Sequence, residues 1–345
     1  MSVVALREFA VDLAAPLSTA AGDIEAREGL LVRVDVGGTP GVGEATPLPG
    51  WTESLEDCYA SLERARDGGT LPGPNAPAAR HAVTLAYRDA VARRLDRSVA
   101  ATLARDDSPA ASVPVNATVG DASVEETVDA ARAAVEDGYR TLKLKVGIGS
   151  VERDVARVEA VADAVADTDT PVTLRADANG AWDVEEAREA LAALDGLVEY
   201  VEQPLSASDI AGHAALRGVG APVALDESLI EYGVGAVLDA GACDAVVLKP
   251  MALGGPSRAL AAGRAAAHAG VTPVVTTTID AAVARTAAVH VGAAMPGGSG
   301  RAHGLGTGDL LAGDVVDDDP VPVEDGRIAV PTEPGLAGGA FVDLV

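Results

Sequence analysis

From Val113 onward, short apolar runs alternate with alanine-rich amphipathic segments, and this alternation restricts the fold more than any other feature of the chain. The runs are VPVNATVG (113–120), TLKLKV (141–146), VTLRADA (172–178), VEYVEQP (198–204), PVALDES (222–228), AVVLKP (245–250) and PVVTTTI (273–279). Between them lie segments with helical spacing. One of these, SVEETVDAARAAVEDG (123–138), opens on an N-capping serine with Glu126 three residues on, and stops at Gly138. Repeated units of this length imply parallel strands joined by helical crossovers. Seven or eight of them make a closed barrel or an open doubly wound sheet. GVGEAT and GLGTGD lack the strand–helix context of a dinucleotide fingerprint. The expected fold is therefore α/β, a (β/α)7–8 barrel of the TIM type over residues 112–315.

The first 105 residues read differently. VALREFAVDL and the alternating LLVRVDVGG (30–38) are strand-like, and alanine- and arginine-rich helices follow at 55–66 and 78–95. Strands followed by helices suggest a separate α+β domain, with RDDSPAAS (105–112) as a linker.

One charged position stands at the C-terminal end of each successive barrel strand: Lys143 and Lys145, Asp177, Glu202, Asp226 and Lys249. The last four follow one another at 25, 24 and 23 residues, one strand–helix unit each, so all should meet at the same rim. Three carboxylates converging on one point require a cation between them. Oxygen-only ligands favour Mg2+, with Mn2+ as a possible substitute. Lys143 and Lys145 are alternate residues of one strand and face the barrel interior together, while Leu142, Leu144 and Val146 face the helices.

Composition sharpens the point. The chain has 23 arginines but three lysines, and all three lysines sit on this rim. Arginine stays protonated, whereas two neighbouring ammonium groups can depress one another until one acts as a base. A metal flanked by lysines on opposite sides suits removal of a proton next to a carboxylate, with an enediolate formed in between. The net charge of −26 repels phosphate backbones and anionic lipid, so neither nucleic acid nor a membrane is an expected partner. A small-molecule carboxylate is, and an oligomer is possible. The dispersed acidity and near absence of lysine suggest a surface suited to a salt-rich cytoplasm. Neither a basic-then-apolar leader nor a long apolar run is found, and Cys58 and Cys243 lack metal spacing, which points to a soluble, reducing, cytoplasmic setting.

The elements K-x-K, DANGAW, VEQPL, LDES and LKP, in this order and spacing, resemble the muconate-lactonising subgroup of the enolase superfamily. The resemblance spans essentially the whole chain. It makes residues 1–105 a capping domain completed by the segment from about 320 to 345, which contains DGRIAVPTEPGL. It implies that Asp177, Glu202 and Asp226 are metal ligands, Lys145 the acid/base, Lys143 its tuner, and Lys249 the opposing cation or second acid/base. Within the subgroup, AREGLLVRV, GVGEATPLPGWTES, TTTIDAAVA and GLGTGDLLAGD resemble the o-succinylbenzoate synthases of menaquinone biosynthesis. These are Mg2+-dependent lyases that dehydrate 2-succinyl-6-hydroxy-2,4-cyclohexadiene-1-carboxylate to 2-succinylbenzoate. Substrate contacts are then expected from capping loops near 16–28 and 47–52, including Trp51, and from Thr276, Thr277, Thr278, Asp280 and Gly304.

Two departures bear on the substrate. Threonines and Asp280 stand where the family often has serines and an acid, and Gly306 occupies a commonly acidic position. Rival activities of the same subgroup are N-acylamino-acid racemisation, dipeptide epimerisation and muconate cycloisomerisation. No Asp-x-Asp for a substrate ammonium stands near the eighth strand, which counts against the epimerase. A different class, a non-catalytic binding barrel, is opposed by the full set of charged positions. The histidines are scattered and show no ligand spacing; His303, before the eighth-strand region, is the one that could approach the site. Arg175 is expected to pair with a ligand carboxylate, Trp182 to pack behind the ligands, and DDDP (317–320) to be a solvated loop.

Overall fold

The computed structural model describes residues 2–19, 22–104, 108–168, 170–297 and 300–345. It begins with an antiparallel meander of β1 (Ser2–Thr19), β2 (Gly22–Val36) and β3 (Thr39–Ala45). Two helices, α1 (Leu55–Gly68) and α2 (Pro77–Arg94), cover it, and a short α3 (Val99–Ala104) follows. Alternation on β2 sends Leu30, Val32 and Val34 into a core with Leu62, Ala79, Ala82 and Ala86. Gly41 and Gly43 let β3 lie directly on α2, because a Cβ at either would overlap the carbonyl oxygens of Ala86 and Ala82. Residues 16–19 and 22–28, expected as loop, continue β1 and β2 as a ribbon. Its flank reaches the far end of the chain through the Leu13–Leu311 bridge.

After β4 (Ser112–Pro114) the chain alternates β5 (Ala117–Val119), α4 (Val124–Glu136), β6 (Thr141–Lys145), α5 (Val151–Val165), β7 (Thr173–Asp177), α6 (Val184–Ala193), β8 (Val201–Glu202), α7 (Ile210–Leu216), β9 (Val223–Leu225), α8 (Ser228–Asp239), β10 (Ala245–Leu248), α9 (Pro256–His268), β11 (Thr272–Val275) and α10 (Ala282–Ala294). Ser123 caps α4 in a reciprocal box with Glu126, as its sequence predicts. β5 to β11 form one curled parallel sheet in sequence order. Residues 303–304 join its two edges, His303 bridging Val115 and Gly304 bridging Thr276. The barrel class expected from the alternation is what forms.

Leu142, Leu144, Leu174, Val201, Leu225 and Val246 pack outward against the helices in the main core. A smaller inner cluster of Tyr200, Ala224, Ala245, Val247 and Val274 plugs the barrel. The C-terminal stretch returns to the first half of the fold. β12 (Val323–Glu324) and β13 (Arg327–Ala329) extend from β4, and Leu336 N–H donates to Asp89 at 2.8 Å. Arg7 donates to the Leu344 carbonyl at 2.8 Å. Among the described residues, no helix is long and apolar enough to cross a membrane. Cys58 and Cys243 are free and buried.

Candidate active site

Strand register assembles the rim. Lys145 lies beside Asp177 on the neighbouring strand, and Asp177 beside Glu202 on the next. Asp226 and Lys249 follow directly on the ends of β9 and β10. The three carboxylates are almost wholly buried, at 1, 2 and 4 % exposure for Asp177, Glu202 and Asp226. Lys143 reaches Asp177 at 2.9 Å and Glu202 at 3.1 Å. Lys145 reaches the same Asp177 oxygen at 2.7 Å, and Lys249 pairs with Asp226 at the end of the neighbouring strand. Lys145 is the most open of the three, 34 % exposed against 18 % for Lys143 and 11 % for Lys249.

The carboxylates therefore share a rim without converging on one point. Among the described residues, no three Asp, Glu, His or Cys side chains stand as a ready ligand group, because ammonium groups lie between them. Their chemistry nevertheless suits a hard divalent ion. The set is all oxygen, and the buried Asp226 Oδ1 has no hydrogen-bond partner. Burial first, then the charges of Glu227 and Glu202, push Asp226 up to about 8 against the pull of Lys249. Glu202 is likewise raised by burial and by Asp177. For Asp177, Lys143 and Lys145 overcome burial and hold the carboxyl below its usual range. The mutual depression expected of the lysines is not found at Lys143. Burial opposes its charge, but Asp177 and Glu202 outweigh burial and hold it well above the ordinary lysine range.

Two residues missed in the sequence support this rim. Asn179 and Gln203 follow their strands in the left-handed region, at φ 45° and 43°. Asn179 accepts from Lys145 at 2.7 Å and donates to Glu227 at 3.0 Å. Gln203 accepts from the N–H groups of Asp226 (3.1 Å) and Ser228 (3.2 Å), fixing the turn that presents Asp226. Both stood inside DANGAW and VEQPL; their value as amides next to strand ends was the available signal.

The segment after β11 is held mainly by the fold itself. Thr276 donates to the Gly304 carbonyl at 2.8 Å, and Thr277 shares a hydrogen bond with Thr307 at 3.0 Å. Thr278 donates to Asp280, which is buried. Glu44 of β3, wholly buried, accepts from Ala281 N–H at 2.9 Å and Ala284 N–H at 2.8 Å, capping α10 from the other half of the fold. Burial and then Asp280 push Glu44 up to about 8. Arg27 ties the Ile279 carbonyl (3.2 Å) to that of Thr46 (2.9 Å), and Ile279 itself sits at φ 60°, a strained value for a β-branched residue. Trp51 places its ring over Lys249, 3.3 Å from Nζ to centroid.

The remaining expectations divide. Arg175 pairs with Glu199 at 2.7 Å and with no rim carboxylate. His303 is buried at the opposite mouth, accepting from Val275 N–H at 3.1 Å. DDDP is the solvated loop expected, with Asp317, Asp318 and Asp319 exposed, and Asp319 pairs with Arg285 at 2.7 Å. Trp182 is buried, as a packing residue would be.

A family model described as enolase C-terminal domain-like matches residues 126–338. The o-succinylbenzoate synthase of Thermobifida fusca is 36 % identical over 92 % of this chain and 84 % of its own length. The chain belongs to the enolase superfamily. Its neighbours among solved structures are enzymes of the muconate-lactonising subgroup. The muconate lactonizing enzyme of Pseudomonas fluorescens in complex with muconolactone has a TM-score of 0.83 at 25 % identity, covering 97 % of this chain and 95 % of that one. A dipeptide epimerase of Methylococcus capsulatus complexed with Mg and L-Arg-D-Lys has a TM-score of 0.84 at 28 % identity, covering 98 % and 99 %. This superfamily member thus carries its lysines and carboxylates on a scaffold whose relatives are enzymes.

Proposed function

We propose that this enzyme is an o-succinylbenzoate synthase, dehydrating 2-succinyl-6-hydroxy-2,4-cyclohexadiene-1-carboxylate to 2-succinylbenzoate. The observation that carries the proton-abstraction chemistry is the pair of lysines, Lys145 and Lys249, on opposite walls above three buried carboxylates. Asp177, Glu202 and Asp226 would hold Mg2+, or Mn2+ in its place. When bound, the ion supplies a Lewis-acid centre for the substrate carboxylate and for charge developing on it. Lys145, the most open amine, takes the proton from the carbon bearing that carboxylate. Asn179 holds it in place, and Lys143, on the same Asp177 oxygen, tunes it. Lys249 faces the enediolate from the other side as a cation, backed by Trp51. The ring C–H and C–OH bonds break, a C=C bond closes the aromatic ring, and proton and hydroxyl leave as one water. Aromatisation drives the elimination, so little beyond stabilising the enediolate is required of the protein. Residues 1–105 with 320–345 act as the capping unit over the barrel of 112–315, in a soluble protein of the cytoplasm.

Dehydration is preferred over other reactions of the same intermediate because the relative matched over most of this chain bears the synthase name. The two-walled lysines also suit N-acylamino-acid racemisation or dipeptide epimerisation, and muconate cycloisomerisation uses similar groups. A spectrophotometric assay for 2-succinylbenzoate in Mg2+, beside deuterium exchange into N-succinyl amino acids, separates these. Product formation is expected; exchange without dehydration would overturn the synthase reading.

A further inference from the structure

Behind Trp51, on the side away from the barrel axis, lies a cleft of about 200 Å3 between the capping helix α2 and the barrel helix α9. It shares Trp51, Leu229, Ile230, Ala252 and Leu253 with a much smaller space that touches Lys249 and Asp226. One apolar wall therefore runs from the reacting lysine to the far end of the cleft. At that end stand Arg80 of α2 and Arg258 of α9. Both Cδ atoms lie within 4 Å of where a Cβ on Gly254 would stand, so the two side chains flank the same glycine.

Neither arginine has a carboxylate within ion-pair distance among the described residues, in a chain with twice as many acids (52) as Lys and Arg together (26). Arg80 donates Nη1 to the Pro72 carbonyl at 2.7 Å, but its Nε is buried with no partner. Glu53, on the same stretch of the capping half, is committed to the N–H groups of Ala78 (3.0 Å) and Ala79 (2.8 Å). Unpaired guanidinium groups at the end of an apolar slot are a site for a planar anion. The cleft is smaller than the 300–1,000 Å3 or so of a drug-sized pocket and has room for a short chain.

We propose that Arg80 and Arg258 bind the distal carboxylate of the substrate, with its aliphatic chain lying along Trp51 and Leu253. This rests on the synthase reading for the identity of the substrate, and it makes the capping–barrel seam a specificity determinant for dicarboxylates.

The test is binding of 2-succinylbenzoate in the presence of Mg2+, followed by tryptophan fluorescence, beside the analogue whose succinyl carboxylate is a primary amide. Wild type is expected to bind the diacid at least tenfold more tightly than the amide. Arg258→Gln and Arg80→Gln should each weaken diacid binding about tenfold and amide binding little, a charge-assisted bond being worth roughly that factor or more. In turnover the loss should fall on KM more than kcat, and Arg258→Lys should restore part of it. Equal binding of diacid and amide by wild type, or equal weakening of both in the variants, would overturn the proposal. Discrimination between the two without any dehydration would support the cleft and defeat the synthase reading. Circular dichroism on each variant shows that the fold is kept, and Arg258, being exposed, can be replaced without unpacking the core.

Discussion

The two mouths of the barrel hold similar charges and use them differently. At the N-terminal mouth, Arg175 donates to Glu199 (2.7 Å), Asn116 (3.2 Å) and the Ala302 carbonyl (2.9 Å), and stacks on Tyr200 at 4.9 Å. Arg301 joins it on Glu199. The guanidinium has a partner on each nitrogen and ties β7 to the residues just before β5 and β8 and to the closing segment. At the C-terminal mouth the cations are lysines, two of which share one oxygen of Asp177, while Asp226 keeps an unpartnered oxygen. A satisfied, permanently charged network stabilises; a partly satisfied, titratable one is ready for chemistry.

The contrast breaks most directly at Lys145. Lys145→Arg should keep the fold and lower kcat by a thousandfold or so, the middle of the range for a general base. Residual activity within tenfold of wild type would remove Lys145 from that role. Removing divalent ions by chelation should abolish turnover while leaving the circular dichroism unchanged, with Mg2+ and then Mn2+ restoring activity. At the other mouth, Arg175→Ala should cost about 3–5 kcal/mol of stability, the usual effect of stripping one partner from a buried charge network. The activity of the molecules that remain folded should change little. Equal losses of activity in the Lys145 and Arg175 variants would erase the distinction between the mouths.

A smaller effect concerns pH. His81 and His290 are buried, and burial lowers each to about 4 from the ordinary 6.5. Their stabilising contribution is complete above pH 6.5 and is lost as pH falls from there through 4. Glu44 works in the opposite direction. Its carboxyl is raised to about 8, so its contribution is complete below about 4.5 and is lost as pH rises through 8. As pH falls from 6.5 to 4.5 the histidines lower Tm while Glu44 and Asp226 raise it, and in thermal melts His290→Gln should shift the slope of Tm against pH in the carboxyls' direction. An unchanged slope in the variant would show that the histidine is not its source.

The rim was legible because a strand's end determines which mouth its side chain serves, and the spacings of Asp177, Glu202, Asp226 and Lys249 count strand–helix units. What each group would touch was not. Spacing places Arg175 inward but cannot say that Glu199, one strand over, would take it before any rim carboxylate. The positive φ of Asn179 and Gln203 follows from turns whose sequence looks ordinary. The polar atoms of Thr276, Thr278 and Asp280 serve barrel closure and the Glu44 network, a result of long-range packing that periodicity does not encode. Glu44 itself lay in a quoted motif, 237 residues from the N–H it caps.

That separation has a consequence for synthesis. At roughly 5–20 residues per second, Glu44 leaves the ribosome on the order of ten seconds to a minute before Ala281. The last full helix of the barrel therefore finds the acceptor for its first turn already made. An acidic side chain on the earliest sheet acts as a waiting template, present in the chain before the helix that it caps has been made.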